Sequence, residues 1–234
     1  MSIREEVVEY LLENGDKTKR ELAKKFDITT YEALEAKKRA EFERCWRHLG
    51  PSIAYFDLET TDLKPEFGLI LCCAVLTYPS GEWNVFSILD EERNEDGELV
   101  DIQTAVEIRD CLEQHDIIVG WNSKGFDVPF LNTRLDLRGE RKLHTHLHID
   151  PMYCYRGWHG VKPSSSSLKS VLEFYDAPFQ KLEIPKKVWQ SAKNGSRNAI
   201  KKLVDRSKSD VEGTAWVTSR AFKAGLIKNI GRYA

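Results

Sequence analysis

Three apolar segments follow one another closely in the first half of the chain, and they constrain its fold more than any other feature. Residues 53–59, 68–78 and 83–89 are rich in the β-branched and aromatic side chains that favour strands. A Pro-Ser-Gly turn at residues 79–81 joins the second segment to the third. Because so short a connection returns the chain beside itself, we predict an antiparallel meander.

Helical and strand patterns alternate after the meander. Strands that alternate with helices in this way indicate an α/β fold, with a mixed β-sheet flanked by helices. The segment 178–196 shows no regular pattern and is predicted to be irregular. The other predicted elements are, in chain order, a helix over 102–114, a strand over 116–121, a helix over 128–138, a strand over 144–150, a helix over 168–175 and a long last helix from about Arg197 to Ala224.

Only helical patterns precede the meander. The tetrapeptides at 18–21 and 29–32 have the capping-box form, in which a Thr and a Glu three positions later bond each other's backbone. Three helices with short turns predict a small all-α helix-turn-helix unit over residues 1–48, followed by the α/β domain over residues 50–234. The unit resembles the helix-turn-helix domains that begin many DNA-associated proteins. Its lysines and arginines could meet phosphates, but glutamates dilute that charge, so a solvated helical face or a contact with a protein partner fits equally well.

The overall composition excludes several classes of protein. A chain of 234 residues, with 41% hydrophobic and 31% charged side chains, is long enough for one good core. The net charge of −2 gives no global attraction to nucleic acid, so such a contact would depend on local basic patches. The five cysteines form no CxxC pair, the first residues are too charged for a signal peptide, and no apolar run approaches membrane-spanning length. We therefore expect a cytoplasmic protein without a membrane partner.

Carboxylates occur where the predicted sheet could gather them. Asp57 and Glu59 end the first strand two positions apart, so they share one side and repel each other unless a cation, a proton or water intervenes. Asp127 follows a buried strand, and Asp210 lies among residues of the last helix that otherwise face a core. Each has an ordinary explanation, such as a strand end in solvent or a helix cap. Their joint arrangement favours a shared site.

Three segments together resemble a known family. FDLETT (56–61), WNSKGFDVPFL (121–131) and SKSDVEGT (207–214) are similar to the three exonuclease motifs of the DEDD, or DnaQ-like, 3′–5′ exonucleases of the RNase H-like superfamily. Their order, spacing and strand or helix context agree with that family over roughly residues 50–225. The resemblance implies an RNase H-like α/β fold.

The resemblance also implies a reaction and a set of site residues. Carried over, the catalytic and metal-binding residues are Asp57, Glu59, Asp127 and Asp210. Four carboxylates in one pocket need divalent cations, and Mg²⁺ or Mn²⁺ suits such oxygen ligands. Two ions about 4 Å apart would activate a water and stabilise the leaving 3′ oxygen. The implied reaction is hydrolysis of phosphodiester bonds from the 3′ end of a nucleic acid, with DNA favoured over RNA.

The third motif departs from the family at one position. Four residues before its Asp, the family normally has a His or Tyr that orients or deprotonates the water, whereas this chain has Arg206. Arginine stays protonated and cannot act as an ordinary base, so we predict that Arg206 binds substrate. Thr60, Asn122 and Lys201 are the other predicted substrate ligands. The alternative is a catalytically weak or inactive nucleic-acid-binding or regulatory protein with the nuclease fold, which Arg206 favours and the intact carboxylates oppose.

Two further patterns carry open alternatives. His144, His146, His148 and Asp150 alternate, which fits a transition-metal site, the source of a substitute base or a polar strand face. Asp150 is interpreted as structural. A basic stretch near the proposed site could follow a nucleic-acid backbone or be a solvated helix face. Its members are Lys186, Lys187, Lys193, Arg197, Lys201 and Lys202.

Overall fold

The computed structural model describes most of the chain in two compact units. One unit extends up to Pro51 and the other from Ser52 to Ile227. The boundary predicted between residues 48 and 50 falls outside the described residues. Within the described part, no helix is both long enough and apolar enough to cross a bilayer. The described residues are 3–15, 17–44, 51–90, 97–145, 147–157, 161–178 and 181–227.

The N-terminal unit contains three helices, α1 (Ile3–Asn14), α2 (Lys19–Phe26) and α3 (Thr30–Arg44). Both predicted capping boxes are present. The backbone N–H of Thr18 donates to Glu21 at 2.7 Å, and the N–H of Glu21 donates back to the Thr18 hydroxyl at 3.3 Å. Thr29 and Glu32 repeat this arrangement at the start of α3. The three helices share a small core, formed by Val7, Val8, Leu11, Leu22, Ala33, Ala36 and Ala40. A relation to helix-turn-helix proteins stays a prediction.

The second unit is built on a five-stranded mixed sheet in the order β3-β2-β1-β4-β5. Its strands are β1 (Ile53–Thr60), β2 (Ile70–Tyr78), β3 (Trp83–Ser87), β4 (Ile117–Val119) and β5 (Leu147–Ile149). The first three pair antiparallel, as the meander predicted, whereas β1 with β4 and β4 with β5 pair parallel. The predicted α/β class with a mixed sheet is therefore confirmed.

Helices cover both faces of this sheet. They are α4 (Ile102–Glu113), α5 (Asp127–Asp136), α6 (Leu168–Phe174), α7 (Lys186–Lys193) and α8 (Arg197–Lys223). On one face Phe56 packs with Ile108 of α4 and Leu131 of α5. On the other face Leu71 packs with Leu203 of α8. Because side chains alternate along β1, its acidic residues face the layer that contains α8.

The prediction that residues 178–196 are irregular is wrong for Lys186–Lys193, which form α7. Only Val188 and Ala192 of this helix are buried, so its apolar pattern is too sparse to show in the sequence. Both side chains pack in the core that α8 and the sheet share. A helix of eight residues depends on such tertiary packing, because its own backbone bonds are too few to stabilise it.

A buried ion pair fixes the loop that follows β1. The Asp101 carboxylate accepts two bonds from Arg134, at 2.9 and 2.7 Å, and one from the backbone N–H of Ile70, at 2.8 Å. Arg134 also donates to the carbonyl of Pro65 at 3.1 Å. Both carboxylate oxygens of Asp101 therefore have partners, and the loop is tied to α5.

Candidate acidic metal centre

Three of the predicted carboxylates converge at the end of β1. Asp57 and Glu59 lie on one side of the strand, because the intervening Leu58 belongs to the core on the opposite face. Asp210 approaches them from α8. Each residue offers a carboxylate oxygen, and these oxygens all lie within 4.8 Å of one another. The strand and the helix therefore form one acidic cluster, defined here as Asp57, Glu59 and Asp210.

Ser207 explains how α8 approaches β1 so closely. Its hydroxyl donates to the backbone carbonyl of Asp57 at 2.9 Å and accepts the backbone N–H of Ala74 at 3.2 Å. The side chain is fully buried. A larger residue one turn before Asp210 would hold the helix away from the sheet, whereas a serine fits and also bonds to both strands. This role of Ser207 is not visible in the sequence, because a serine in a helix carries no distinctive signal.

Asp127 occupies a different place from the other three carboxylates. It begins α5, is buried, and accepts the backbone N–H of Leu58 at 3.0 Å. It does not belong to the group whose oxygens lie within 4.8 Å of one another. Leu58 separates Asp57 from Glu59 in β1, so this bond holds Asp127 beside the acidic strand.

Burial and mutual repulsion make these carboxylates difficult to ionise. Burial, with contributions from Glu59, Asp210 and Asp127, raises the pKa of Asp57 well above its usual range. Burial also raises the pKa of Glu59 to about 7, although the neighbouring Arg206 opposes that rise. For Asp127, burial raises the pKa to about 7 against the stabilising bond from Leu58. The site therefore favours any cation that can share these oxygens.

Two cationic side chains already contact the acidic cluster. The Arg206 guanidinium bonds to the Glu59 carboxylate, and its second nitrogen lies 3.6 Å from an oxygen of Asp210. The Lys181 ammonium lies 2.6 Å from the same Asp210 oxygen. Arg206 also lies over the Trp189 ring of α7, 5.1 Å from its centroid. The predicted position of Arg206 beside Asp210 is thus observed, whereas the contact of Lys181 was not predicted.

The two cations leave part of the cluster unsatisfied. Within the described residues, Asp57 Oδ2 and Asp210 Oδ1 are buried and have no hydrogen-bond partner. Buried polar atoms without partners are costly and therefore rare. Several hard oxygen donors close together, two of them unsatisfied, fit a divalent cation such as Mg²⁺. The acidic cluster can therefore hold a metal ion.

Comparison with known proteins agrees with this fold. A family model described as the RNase H superfamily matches residues 54–215, well over half of the chain. This chain belongs to the RNase H superfamily. Asp57, Glu59, Asp127 and Asp210 all lie within the matched residues.

Solved structures include a similar fold in a much larger protein. A family B DNA polymerase from the hyperthermophilic archaeon Pyrobaculum calidifontis matches with a TM-score of 0.56 and 17% sequence identity. The match covers 77% of this chain and 26% of the polymerase chain, so this chain spans about a quarter of that protein. At that identity the likeness shows the fold alone. No curated protein sequence gives a significant match.

The three other predicted substrate ligands of this RNase H superfamily protein lie on different elements and differ in exposure. Thr60 ends β1, and its hydroxyl donates to the carbonyl of Asp62 at 2.8 Å. Asn122 has a positive φ of 60°, and its backbone N–H donates to Asp150 at 3.0 Å. Lys201 is exposed on α8. Their roles toward a substrate stay predictions.

The alternating histidines are not gathered into a metal site in the described structure. His148 Nε2 lies 2.8 Å from the Ser123 hydroxyl, which itself donates to the carbonyl of Gly120, so the imidazole is the donor of that pair. Burial lowers the pKa of His148 to about 4. His146 lies outside the described residues. Asp150 accepts three backbone N–H bonds, including that of Asn122, which supports its structural interpretation.

Proposed function

We propose that this protein is a metal-dependent nuclease of the DEDD type, which releases nucleotides from the 3′ end of DNA or RNA. The observation that carries the proposal is the acidic cluster, with carboxylate oxygens within 4.8 Å of one another and two of them without a partner. Membership of the RNase H superfamily supports it, because proteins of that superfamily are typically nucleases.

The carboxylates would hold the ions. Asp57, Glu59 and Asp210 would bind one ion, and Asp127, which is held beside β1, would complete the ligands of a second. A bound Mg²⁺ or Mn²⁺ supplies Lewis acidity, which favours ionisation of a water and stabilises negative charge on phosphate oxygens. The protein holds the four carboxylates together on β1, α5 and α8, whereas Arg206 and Lys181 would have to move from Glu59 and Asp210 for an ion to bind.

Arg206 would act on the substrate rather than on the water. Its burial disfavours the charge, but Glu59 and Asp210 outweigh that effect and keep the pKa of the guanidinium raised. It therefore cannot accept a proton, but it can donate two parallel bonds to a phosphate. With Glu59 and Asp210 engaged in metal binding, the Arg206 guanidinium would be available to bind the scissile phosphate. Trp189 would limit its movement by stacking against it.

A second candidate is supported by the same contacts. Arg206 and Lys181 neutralise Glu59 and Asp210 from within the protein. A chain that satisfies its acidic residues in this way could bind nucleic acid without cleaving it. Arg206→His, which restores the residue usual in the family, is the variant that would recover turnover in such a protein.

Cleavage of an end-labelled strand tests the proposal and separates the two candidates. The protein would be incubated with a 5′-labelled single strand in Mg²⁺, in Mn²⁺ and in EDTA. We expect stepwise shortening from the 3′ end with either metal and none in EDTA. Internal fragments would overturn the 3′-end activity, and an intact strand under all conditions, for single and double strands alike, would favour the binding protein.

A further inference from the structure

The surface beside the acidic cluster carries a concentrated positive charge. Residues 186–204 contain six lysines and arginines and no Asp or Glu, although the whole chain has a net charge of −2. All six are exposed. Among the residues that the structure describes, none of the six forms an ion pair with a carboxylate. The six are Lys186, Lys187, Lys193, Arg197, Lys201 and Lys202.

Helical spacing divides the cations of α8 into two groups. Lys202 lies four residues before Arg206, which lies four residues before Asp210, so these three share one stripe of the helix. Lys201 is turned away from that stripe, because nine residues separate it from Asp210 and place it on the opposite side of the helix. Lys202 is therefore the exposed cation next to Arg206 along α8.

The same spacing divides the cations of α7. Lys186 lies three residues before Trp189 and Lys193 lies four residues after it, so both share the face of Trp189. Arg206 lies over the Trp189 ring and joins this face to the stripe on α8. Lys187 is two residues before Trp189 and therefore lies on a different face of α7. The cations of α7 and α8 therefore form one adjoining row, and Arg206 connects that row to the acidic cluster.

We propose that Lys186, Lys193 and Lys202 form a phosphate-binding track, which carries a nucleic-acid strand to the acidic cluster. The inference rests on the proposed function, which places the 3′ end of the strand at the acidic cluster. A nucleic-acid strand is a suitable partner for the track. Its phosphates repeat along the strand, and the track offers successive cations that form no ion pair within the described part of the protein. Lys187 and Arg197 are solvated and make no direct phosphate contact.

The chain provides its own matched controls, because α7 and α8 each carry an exposed cation outside the track. Lys186 and Lys187 both lie in the first turn of α7, where positive charge opposes the helix dipole, so replacing either by Gln does not weaken the helix. Lys202 and Arg197 are both exposed on α8, and Arg197 is nine positions from Arg206, which places it on the opposite side of the helix. The track variant is Lys186→Gln with Lys202→Gln, and the control variant is Lys187→Gln with Arg197→Gln. Both remove the same charge from the same two helices.

Binding without catalysis distinguishes the two variants. The affinity of the protein for a fluorescein-labelled single strand would be measured by anisotropy in EDTA at increasing NaCl concentration. Each lost phosphate contact lowers the slope of log affinity against log salt by about 0.7 for a single strand, so the track variant should lose about 1.4. The control variant should lose less than half of that, because salt screens charges that make no contact.

An equal decrease in the salt slope of both variants would overturn the track, since it would indicate diffuse electrostatic attraction. Unchanged slopes in both variants would also overturn it. Cleavage by the wild type separates this result from the proposed function. If the wild type binds through the track but leaves the strand intact with both metals, the nuclease proposal fails and the track stands. If the wild type cleaves while both variants bind alike, the track fails and the nuclease proposal stands.

Discussion

Two carboxylate sites in the same α/β unit differ in how completely their oxygens are hydrogen-bonded. Asp101 is a single carboxylate, and both of its oxygens accept bonds from Arg134 or from a backbone N–H. The acidic cluster places Asp57, Glu59 and Asp210 together and leaves one oxygen of Asp57 and one of Asp210 without a partner. The fold can therefore satisfy a buried carboxylate completely, and it does so at Asp101.

The difference indicates that Asp101 with Arg134 stabilises the fold, whereas the acidic cluster has a chemical role. A satisfied pair such as Asp101 with Arg134 fixes a loop, and removing one partner leaves an uncompensated charge. A repelling and incompletely paired cluster lowers stability unless something else binds there. The comparison predicts that substitutions at Asp101 and Arg134 affect folding, whereas substitutions in the acidic cluster affect activity and metal binding.

The largest effect is expected for Asp57→Asn. The amide cannot replace the carboxylate as a metal ligand, so cleavage of a labelled strand should fall about a thousandfold, equivalent to about 4 kcal/mol of transition-state stabilisation. Unfolding by urea in EDTA should show equal or greater stability, because repulsion in the cluster is relieved. Asp205→Asn, an exposed position of α8, is the control and should alter neither quantity. A loss of stability in Asp57→Asn would break the comparison.

Arg134→Ala should have the reverse pattern. It leaves the Asp101 carboxylate buried without its cation and should lower the free energy of unfolding by about 3 kcal/mol or more. Arg138→Ala, at an exposed position just after α5, should change it by less than about 0.5 kcal/mol. Urea unfolding of the two variants checks this. A loss below about 1 kcal/mol in Arg134→Ala would show that the pair contributes little.

Arg206→Ala should change metal binding and intrinsic stability in opposite directions. Without the guanidinium, Glu59 and Asp210 repel each other more strongly, so the variant should be less stable than the wild type in EDTA. The same change makes the acidic cluster more negative and raises its affinity for Mn²⁺. A ligand at a hundred times its Kd stabilises a protein by about 2.7 kcal/mol, so the gain is measurable by thermal unfolding.

The shift of the unfolding midpoint on adding Mn²⁺ should therefore be larger in Arg206→Ala than in the wild type. Arg220→Ala, an exposed arginine near the end of α8, is the control and should leave the wild-type shift unchanged. Equal shifts in Arg206→Ala and the wild type would show that Arg206 does not compete with metal ions at the cluster.

The sequence allowed the sheet and much of the cluster to be predicted, for definite physical reasons. Asp57 and Glu59 share a side because side chains alternate along a strand, and Arg206 lies beside Asp210 because four residues make about one helical turn. The contact of Lys181 with Asp210 could not be predicted, because Lys181 lies outside any helix or strand and no periodicity fixes its direction.

Tertiary packing determined which elements contact one another, and the sequence motifs did not predict this. The bond from Leu58 to Asp127 joins β1 to α5 across 69 positions of sequence. Ser207 and the short helix α7 are recognisable only once α8 is placed against the sheet. Local patterns therefore predicted which side chains share a face, whereas long-range contacts determined which faces meet.

The smallest effect concerns His148, a partly buried residue whose neutral ring has a hydrogen-bond partner in Ser123. Burial lowers its pKa in the folded protein from 6.5 to about 4, whereas the unfolded chain takes up the proton at the ordinary value. The stabilisation is therefore complete above pH 6.5 and is lost as the pH falls toward 4. Between about pH 7.5 and about pH 5 the loss should reach about 2 kcal/mol.

His148→Gln should remove this pH dependence, because an amide does not titrate and can still donate to the Ser123 hydroxyl. Urea unfolding of both proteins across that pH range measures the effect, and other titrating groups cancel in the difference. Identical pH profiles would show that the imidazole becomes charged within the fold. His144→Gln, at an exposed position, is the control and should retain the wild-type profile. The result would extend the comparison from carboxylates to a histidine, since a partly buried group with its partner in place should affect folding and leave cleavage unaltered.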